Sequence, residues 1–491
     1  MVSTMASQIP LKDKQSPIVI VGAGVFGLSS AIHLAKRGFT DITVFDRQPY
    51  HETLYDFDKG CDAASADCNK IIRAAYGDEV WYQSLTLKAI EVWESWNRSL
   101  AEEAILPPGM TRKDRIYVNC GNYHFGDETH GLNNFEKLSV DNITKAGKGQ
   151  TQYLLYSDPK EVTRARADGF SYAVDPFGLA KDGQHQGYLD MIGGFVYADK
   201  ACTYALHLAK RLGVKLVLDR QTGSLESFLE DPTGRVVGIK TGDGKHHTAA
   251  ATIIACGGWT PSLIPEIDGL CETTAGSLAM IQIPEGSSLR DRFSPDNFPV
   301  FQWNTRAGEN GNLYGFPLDS RGVMKIGYRG TKYTNPQQVQ SGQVRSVPIT
   351  KWTSPFITGL PEKSVQVIQS FLDKYLPELK QSGIGISQTR LCWYTDSFDN
   401  NWVIDDIPGK EGVIVATGGS GHAFKFLPLL GEFVADKVMG IESDMLRRFQ
   451  WRKLPHGEPP RNQLMKGFND VNALYRVRMV PDQNSHYTSK L

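Results

Sequence analysis

With 491 residues the chain has room for two or three domains and a large core, and it needs no disulfides to fold. Its net charge of −1 gives no electrostatic footprint for nucleic acid or an anionic membrane, and hydrophobic and charged fractions of 41% and 22% are those of an ordinary globular protein. The seven cysteines form no Cys-x-x-Cys or Cys/His cluster, which argues against a disulfide framework or a bound metal and for a reducing compartment. No run reaches the ~18 apolar residues of a membrane span, and the N-terminal stretch is too polar for a signal peptide.

The first predicted element is Ile18–Val21, a β-branched run suited to a buried parallel strand. Gly22, Gly24 and Gly27 follow as G-x-G-x-x-G: one glycine for a tight turn, one for close approach to a pyrophosphate, one for helix–strand packing. A helix over residues 28–37 stops at Gly38, and a strand over 42–45 delivers Asp46 where a carboxylate accepts from a ribose hydroxyl. That order predicts a dinucleotide site rather than a plain βαβ unit. Asp46 disfavours a 2′-phosphate, leaving FAD or NAD.

A polar loop over 51–61 leads to small residues at 63–66, Ser65 among them, that let backbone approach a flat ring. Lys70 and Arg73 stand at i, i+3 and are expected to share one face of a helical turn, as a solvated basic face or as ligands. A helix is predicted over 81–97, with Trp81, Trp93 and Trp96 as core or interface aromatics. Residues 101–190, rich in Gly, Asn, Asp and Tyr, read as loops and short strands of a substrate domain. A helix ending at Gly213, a strand over 214–218, a hairpin over 236–244 and a buried strand from Thr252 then supply the second half of a nucleotide-binding sheet. Such a discontinuous order favours an FAD-dependent oxidoreductase over an NAD dehydrogenase.

Strand-like pieces over 278–283, 299–303, 312–317 and 323–328, followed by a helix over 365–375, suit a mostly antiparallel sheet covering a flavin. The chain returns in 390–395, 402–405 and 413–425, then a helix to Met439. The expected fold is α/β plus antiparallel β. A Rossmann-like FAD-binding domain comes in three pieces (16–100, 191–265, 386–455), with a discontinuous substrate domain (101–190, 266–385) and a tail (456–491). The tail ends Ser489-Lys490-Leu491, a peroxisomal address that predicts a peroxisomal location and the import receptor as a partner. Peroxisomes house oxidases that make hydrogen peroxide, which again favours FAD.

Five segments in this order resemble the monomeric sarcosine oxidase family, which includes pipecolate and saccharopine oxidases and the fungal fructosyl-amino-acid oxidases (amadoriases). They are Gly22 to Gly27; Asn-Lys-Ile-Ile-Arg-Ala-Ala-Tyr-Gly at 69–77; Tyr-Gly-Phe-Pro from Tyr314 with Met-Lys-Ile-Gly-Tyr to Tyr328; Leu-Cys-Trp-Tyr-Thr at 391–395; and Gly-Gly-Ser-Gly-His-Ala-Phe-Lys-Phe at 418–426. The resemblance covers most of 16–450, except that 101–190 looks longer and different.

The resemblance implies covalent FAD, carried by Cys392 through a thioether to the ring's 8α-methyl. It implies FAD contacts from Gly22, Gly24, Val25, Phe26, Gly27, Asp46, Ser65, Lys70, Gly421, Phe424 and Lys425. Arg73 and Lys425 match the pair that holds the substrate carboxylate, and Tyr314 matches an active-site tyrosine. Lys325 matches the lysine that activates oxygen by stabilising a developing anion. Pattern alone would make Cys392 a small core hydrophobe and put Lys325 on the exposed face of a strand whose buried face is Met324 and Ile326; the resemblance reverses both. Residues 418–425 read as a glycine-rich loop entering a helix, its amides towards the flavin's pyrimidine edge. Where the sarcosine enzyme has a histidine four residues after the lysine, this chain has Arg329, grouped with Lys325 and Tyr314 as catalytic and suited to a second anionic or hydroxylated group on a larger substrate. Tyr123, Tyr153, Tyr156 and Tyr172 in the insertion point the same way.

The expected function is an oxidase of N-methyl, cyclic or N-glycated amino acids. Hydride passes to the flavin, an iminium forms, and O2 becomes H2O2; the substrate is bulky and the protein a monomer. Fructosyl-amino-acid, saccharopine and pipecolate oxidation stay open. So does oxidation of an N-methylated aromatic amino acid, as in the amadoriase-like oxidase of fumisoquin-type alkaloid formation. A dehydrogenase using another electron acceptor and a flavin-binding protein without turnover are the competing classes.

Overall fold

A computed structural model describes residues 10–61, 63–127, 132–305, 307–339, 342–354, 359–458, 460–462 and 471–481. The tripeptide Ser489-Lys490-Leu491 lies outside them.

Two large sheets organise the molecule. The first has six strands in the order Val403–Ile407, Lys410–Thr417, Ala251–Ile254, Ile18–Val21, Ile42–Asp46, Lys215–Leu218, all parallel except the first. Ile18–Val21 is buried along its whole length, and burying such side chains is worth about 1.5–3 kcal/mol each. The helix Val25–Lys36 follows the glycine turn and packs between Ala198–Arg211 and Gly431–Met439. Its approach to the last of these is tight: a Cβ on Gly431 would stand 1.9 Å from the Ser29 carbonyl oxygen. Ser29 Oγ donates to Leu427 O at 2.7 Å and accepts from Gly431 N at 2.7 Å.

The second sheet has eight strands: Gln388–Ser397, Cys271–Gln282, Val323–Tyr333, Leu313–Gly315, Val300–Trp303, Asn122–Phe125, Tyr188–Asp190, Gln152–Tyr153. All neighbours are antiparallel except Val300–Trp303 with Asn122–Phe125. Period-2 alternation gives this sheet two different faces. Met324, Ile326, Tyr328, Leu391 and Trp393 enter one core with the helix Glu362–Tyr375, while Cys392, Leu278 and Met280 cluster with Tyr314 on the other side. That other side carries the cavity.

Three local readings change. Lys70 lies in an extended strand, Asn69–Ile72, paired with Gly194–Tyr197, so Lys70 and Arg73 do not share a helical face; the tertiary partner overrides the local pattern. The predicted helix of 81–97 runs longer, Val80–Glu102. The loop after Gly418 enters a short 3₁₀ turn, Ala423–Phe426, and the helix begins only at Gly431.

Candidate active site

One cavity of about 1230 Å³ runs from the glycine turn to the wall formed by the eight-stranded sheet. At its first end, Gly22 sits at φ +107°, and a Cβ there would come within 2.4 Å of Ala255 O. Gly24, Val25 and Phe26 line the cavity. Gly27 lies behind them, where a Cβ would be 1.7 Å from Gly22 O; its role is packing. The helix Val25–Lys36 has no side-chain N-cap, so its first amides face the cavity with the helix dipole behind them; Val25 N reaches Ser65 Oγ at 3.3 Å. Asp46 also lines the cavity and accepts from Ala23 N at 2.7 Å and Gln48 N at 2.8 Å. Burial pushes its carboxyl above the ordinary range. Nearby the Arg47 guanidinium lies 4.0 Å from the Trp259 ring, and both line the wall.

In the middle stand Ala63, Ala64 and Ser65 opposite Cys392 and Tyr394. Below them is a network absent from the sequence reading. Asp67, almost fully buried, accepts from Lys70 Nζ at 2.6 Å and Lys325 Nζ at 2.9 Å. Burial opposes its ionisation, yet Lys325, Lys70 and Arg390 together hold the carboxyl far below the usual range. Burial likewise opposes the Lys70 charge, and Asp67 overcomes this and pushes its pKa up. Lys70 reaches the cavity wall, whereas Lys325 stands behind it, donating also to Asn69 O and packed 4.6 Å from the Phe316 ring. Lys325 is therefore neither on an exposed face nor on the cavity surface. The second side of its strand is covered by the chain from Asp67 to Asn69, so its ammonium takes its partners there.

At the far end three cations converge. Arg73, Arg329 and Lys425 all line the wall, and among the described residues none forms an ion pair. Their polar contacts are carbonyls: Ala75 O for Arg73, Ser420 O at 3.5 Å for Arg329, and Arg73 O at 3.3 Å for Lys425. Burial, then the charges of Arg73 and Arg329, push Lys425 well below its ordinary pKa, and burial followed by Arg329 lowers Arg73. Glu79 and Glu309 line the same cavity, and Asp190 acts on Arg73 from further off. Tyr76 and Phe135 lie beside the cations, with Lys425 Nζ 4.7 Å from the Tyr76 ring and the Arg73 guanidinium 5.9 Å from Phe135. Tyr76 also hydrogen-bonds to His422 Nδ1 at 3.1 Å, and burial drives the His422 pKa down to about 3, keeping it neutral.

Tyr314, Gly421 and Phe424 line the cavity as expected. The insertion's tyrosines do not. Tyr123 and Tyr153 belong to the core, Tyr172 OH donates to Cys120 O at 3.1 Å, and of residues 132–190 only Phe135 reaches the wall. Phe135, Tyr76, His422, Asp67 and a further lysine, Lys332, were missed. His422 and Tyr76 sit inside segments already singled out, which was the available signal.

The cavity suits a large ligand with an anionic, nucleotide-like end and a flat end. Three buried polar atoms on its wall, Ser262 Oγ, Arg390 Nε and Thr395 Oγ1, have no hydrogen-bond partner among the described residues. Amides at a helix N-terminus, the Asp46 carboxylate, small residues at 63–65 and the buried Cys392 thiol make a lining that fits FAD.

Comparison with known proteins agrees. The model of a family described as FAD dependent oxidoreductase matches residues 17–437. The chain is 25% identical over 447 residues to L-saccharopine oxidase of Schizosaccharomyces pombe, covering 89% of this chain and 93% of that protein. It is 24% identical over 426 residues to N-methyl-L-tryptophan oxidase of Salmonella enteritidis, covering 87% and 95%. A solved fructosyl peptide oxidase from E. terrenum superposes with a TM-score of 0.74 at 24% identity, over 97% of this chain and all of that one, which shows the shared fold.

Proposed function

The chain belongs to the family of FAD-dependent oxidoreductases, and from that premise we propose that it oxidises amino acids that carry a substituent on nitrogen, with O2 as the electron acceptor. The observation that carries this reading is the juxtaposition of Arg73 and Lys425, neither in an ion pair among the described residues, at the flat end of the cavity. Relatives named for saccharopine and N-methyl-L-tryptophan support the N-substituted class.

FAD supplies a two-electron acceptor that O2 can reoxidise. Arg73 and Lys425 bind the substrate carboxylate, the guanidinium as a fork and the ammonium as a point charge, and so fix the C–H bond next to nitrogen. Tyr76, Phe135 and Phe424 exclude water around that bond. Neutral His422 orients the Tyr76 hydroxyl. Lys70 and Lys325, locked to Asp67, place fixed positive charge beside the centre, where reduction of O2 develops negative charge.

Cys392 is the proposed point of covalent attachment. Its thiol is buried, lines the cavity and stands on the strand next to Gly276, opposite the small residues at 63–65. The flavin is then expected to stay with the protein after acid precipitation and to be lost from Cys392→Ala.

Anaerobic mixing with N-methyl or cyclic amino acids tests the reading. Bleaching of the flavin, followed by rapid recovery and peroxide release on admitting air, is expected. Bleaching with recovery only on adding a quinone or carrier protein would make it a dehydrogenase, and no bleaching with any N-substituted amino acid would refute the substrate class.

A further inference from the structure

The strand Val323–Tyr333 carries a wide bulge. Tyr328 pairs with Ser277 and Tyr333 with Ala275, so four residues, Arg329 to Lys332, stand opposite the single residue Gly276. Gly276 pairs on its other side with Cys392, which puts the bulge beside the proposed flavin attachment point. A bulge re-aims side chains, and this one sends both Arg329 and Lys332 to the cavity wall around Tyr394.

The two cations have different surroundings. Lys332 is fully buried and paired with Asp396, which also accepts from Thr274 Oγ1; the three residues come from three adjacent strands. Its charge is already compensated, so it braces the bulge. Arg329 has no such partner. Its guanidinium packs over Gly421, where a Cβ would meet Nη2 at 2.8 Å, and its only hydrogen bond among the described residues is the long one to Ser420 O, with Nε buried and unpaired. One substrate carboxylate bound by Arg73 and Lys425 leaves this third, half-buried cation without a carboxylate partner among the described residues, its fork free to take a second anion. A guanidinium donates only, so a carboxylate satisfies it, whereas a sugar hydroxyl would have to pass its own proton to another acceptor.

Resting on the oxidase reading above, we infer that the substrate is a dicarboxylate: an α-amino acid whose nitrogen substituent bears a second carboxylate, which Arg329 binds.

The test uses the holoenzyme and two readouts. Peroxide release is compared for matched pairs such as N-methyl-L-alanine and N-(carboxymethyl)-L-alanine, in wild type, Arg329→Gln and Arg329→Lys. Calorimetry compares non-reactive glutarate with butyrate. The wild type is expected to favour the dicarboxylate by about tenfold or more in both, Arg329→Gln to bring both ratios towards one, and Arg329→Lys to keep part of each. Wild-type ratios near one, with peroxide formed from the monocarboxylates, would overturn the dicarboxylate inference alone. Absence of peroxide from every N-substituted amino acid would overturn the oxidase reading, while the glutarate-to-butyrate ratio would still decide for or against Arg329. If Arg329→Gln fails to fold, the wild-type ratios and Arg329→Lys carry the decision.

Discussion

Asp67 is the residue on which the charge of the site turns. It holds two buried ammonium groups, and replacing it by asparagine strands both. Breaking one side of such a pair costs about 3–5 kcal/mol, so Asp67→Asn is expected to lower the denaturation midpoint markedly, whereas Lys70→Met is expected to cost less because the Asp67–Lys325 pair survives. Lys325→Met is expected to slow flavin reoxidation by roughly 100-fold, read as the oxidative half-reaction in stopped flow. Lys425 gives a pH dependence whose sign is fixed. In the free site burial and the charges of Arg73 and Arg329 push its pKa well below normal, and a bound carboxylate is expected to raise it again. Affinity is therefore full below the lowered value and declines as pH rises through it, with proton uptake on binding in that range. Calorimetry in buffers of different ionisation heat checks this; binding that takes up no proton and keeps its affinity at alkaline pH would contradict it. Arg73, Lys425, Tyr314 and Cys392 all reach the cavity wall, and each lies inside one of the five segments that the sequence singles out. Asp67 and Lys332 were not legible, because their partners are remote in sequence: Asp67 meets Lys325 and Lys332 meets Asp396 only once the sheets are assembled.

At the scale of elements, the parallel strand, glycine turn, helix and second strand were read correctly because local propensity and tertiary role agree there. Lys70 to Arg73 was misread because strand Asn69–Ile72 is made by its pairing with Gly194–Tyr197 and carries no alternation of its own. The bulge at Arg329–Lys332 is likewise a matter of register, which only the partner strand reveals. Close backbone approach at Gly431 provides an independent test of the helix packing. A methyl group there would overlap a backbone oxygen that no side-chain rotation can move, so Gly431→Ala is expected to destabilise the protein by about 2–3 kcal/mol in denaturant titration. A change near zero would mean that the two helices are not held at this distance.

On the scale of the whole molecule, a mostly parallel sheet supplies the glycine-turn end of one cavity and a mostly antiparallel sheet supplies the wall at its other end. The first sheet is gathered from strands before residue 50, between 215 and 254, and after 402, so the cofactor site closes only when distant parts of the chain meet. The mixed α/β and antiparallel architecture was visible in the sequence; which residues face the cavity was not, because a strand's pattern marks its two faces without saying what covers them. Lys325 is the example: its face is buried against Asp67 and Asn69 instead of solvent. The central claim is that a buried cation pair clamps the carboxylate of an N-substituted amino acid while O2 takes the electrons. Its most direct test is to supply the same N-substituted amino acid as the free acid and as its carboxamide, and to measure substrate consumed and peroxide formed. The expected result is one peroxide per acid oxidised and turnover of the amide reduced by about 100-fold or more. Equal turnover of acid and amide, or oxidation of the acid without peroxide, would contradict the account.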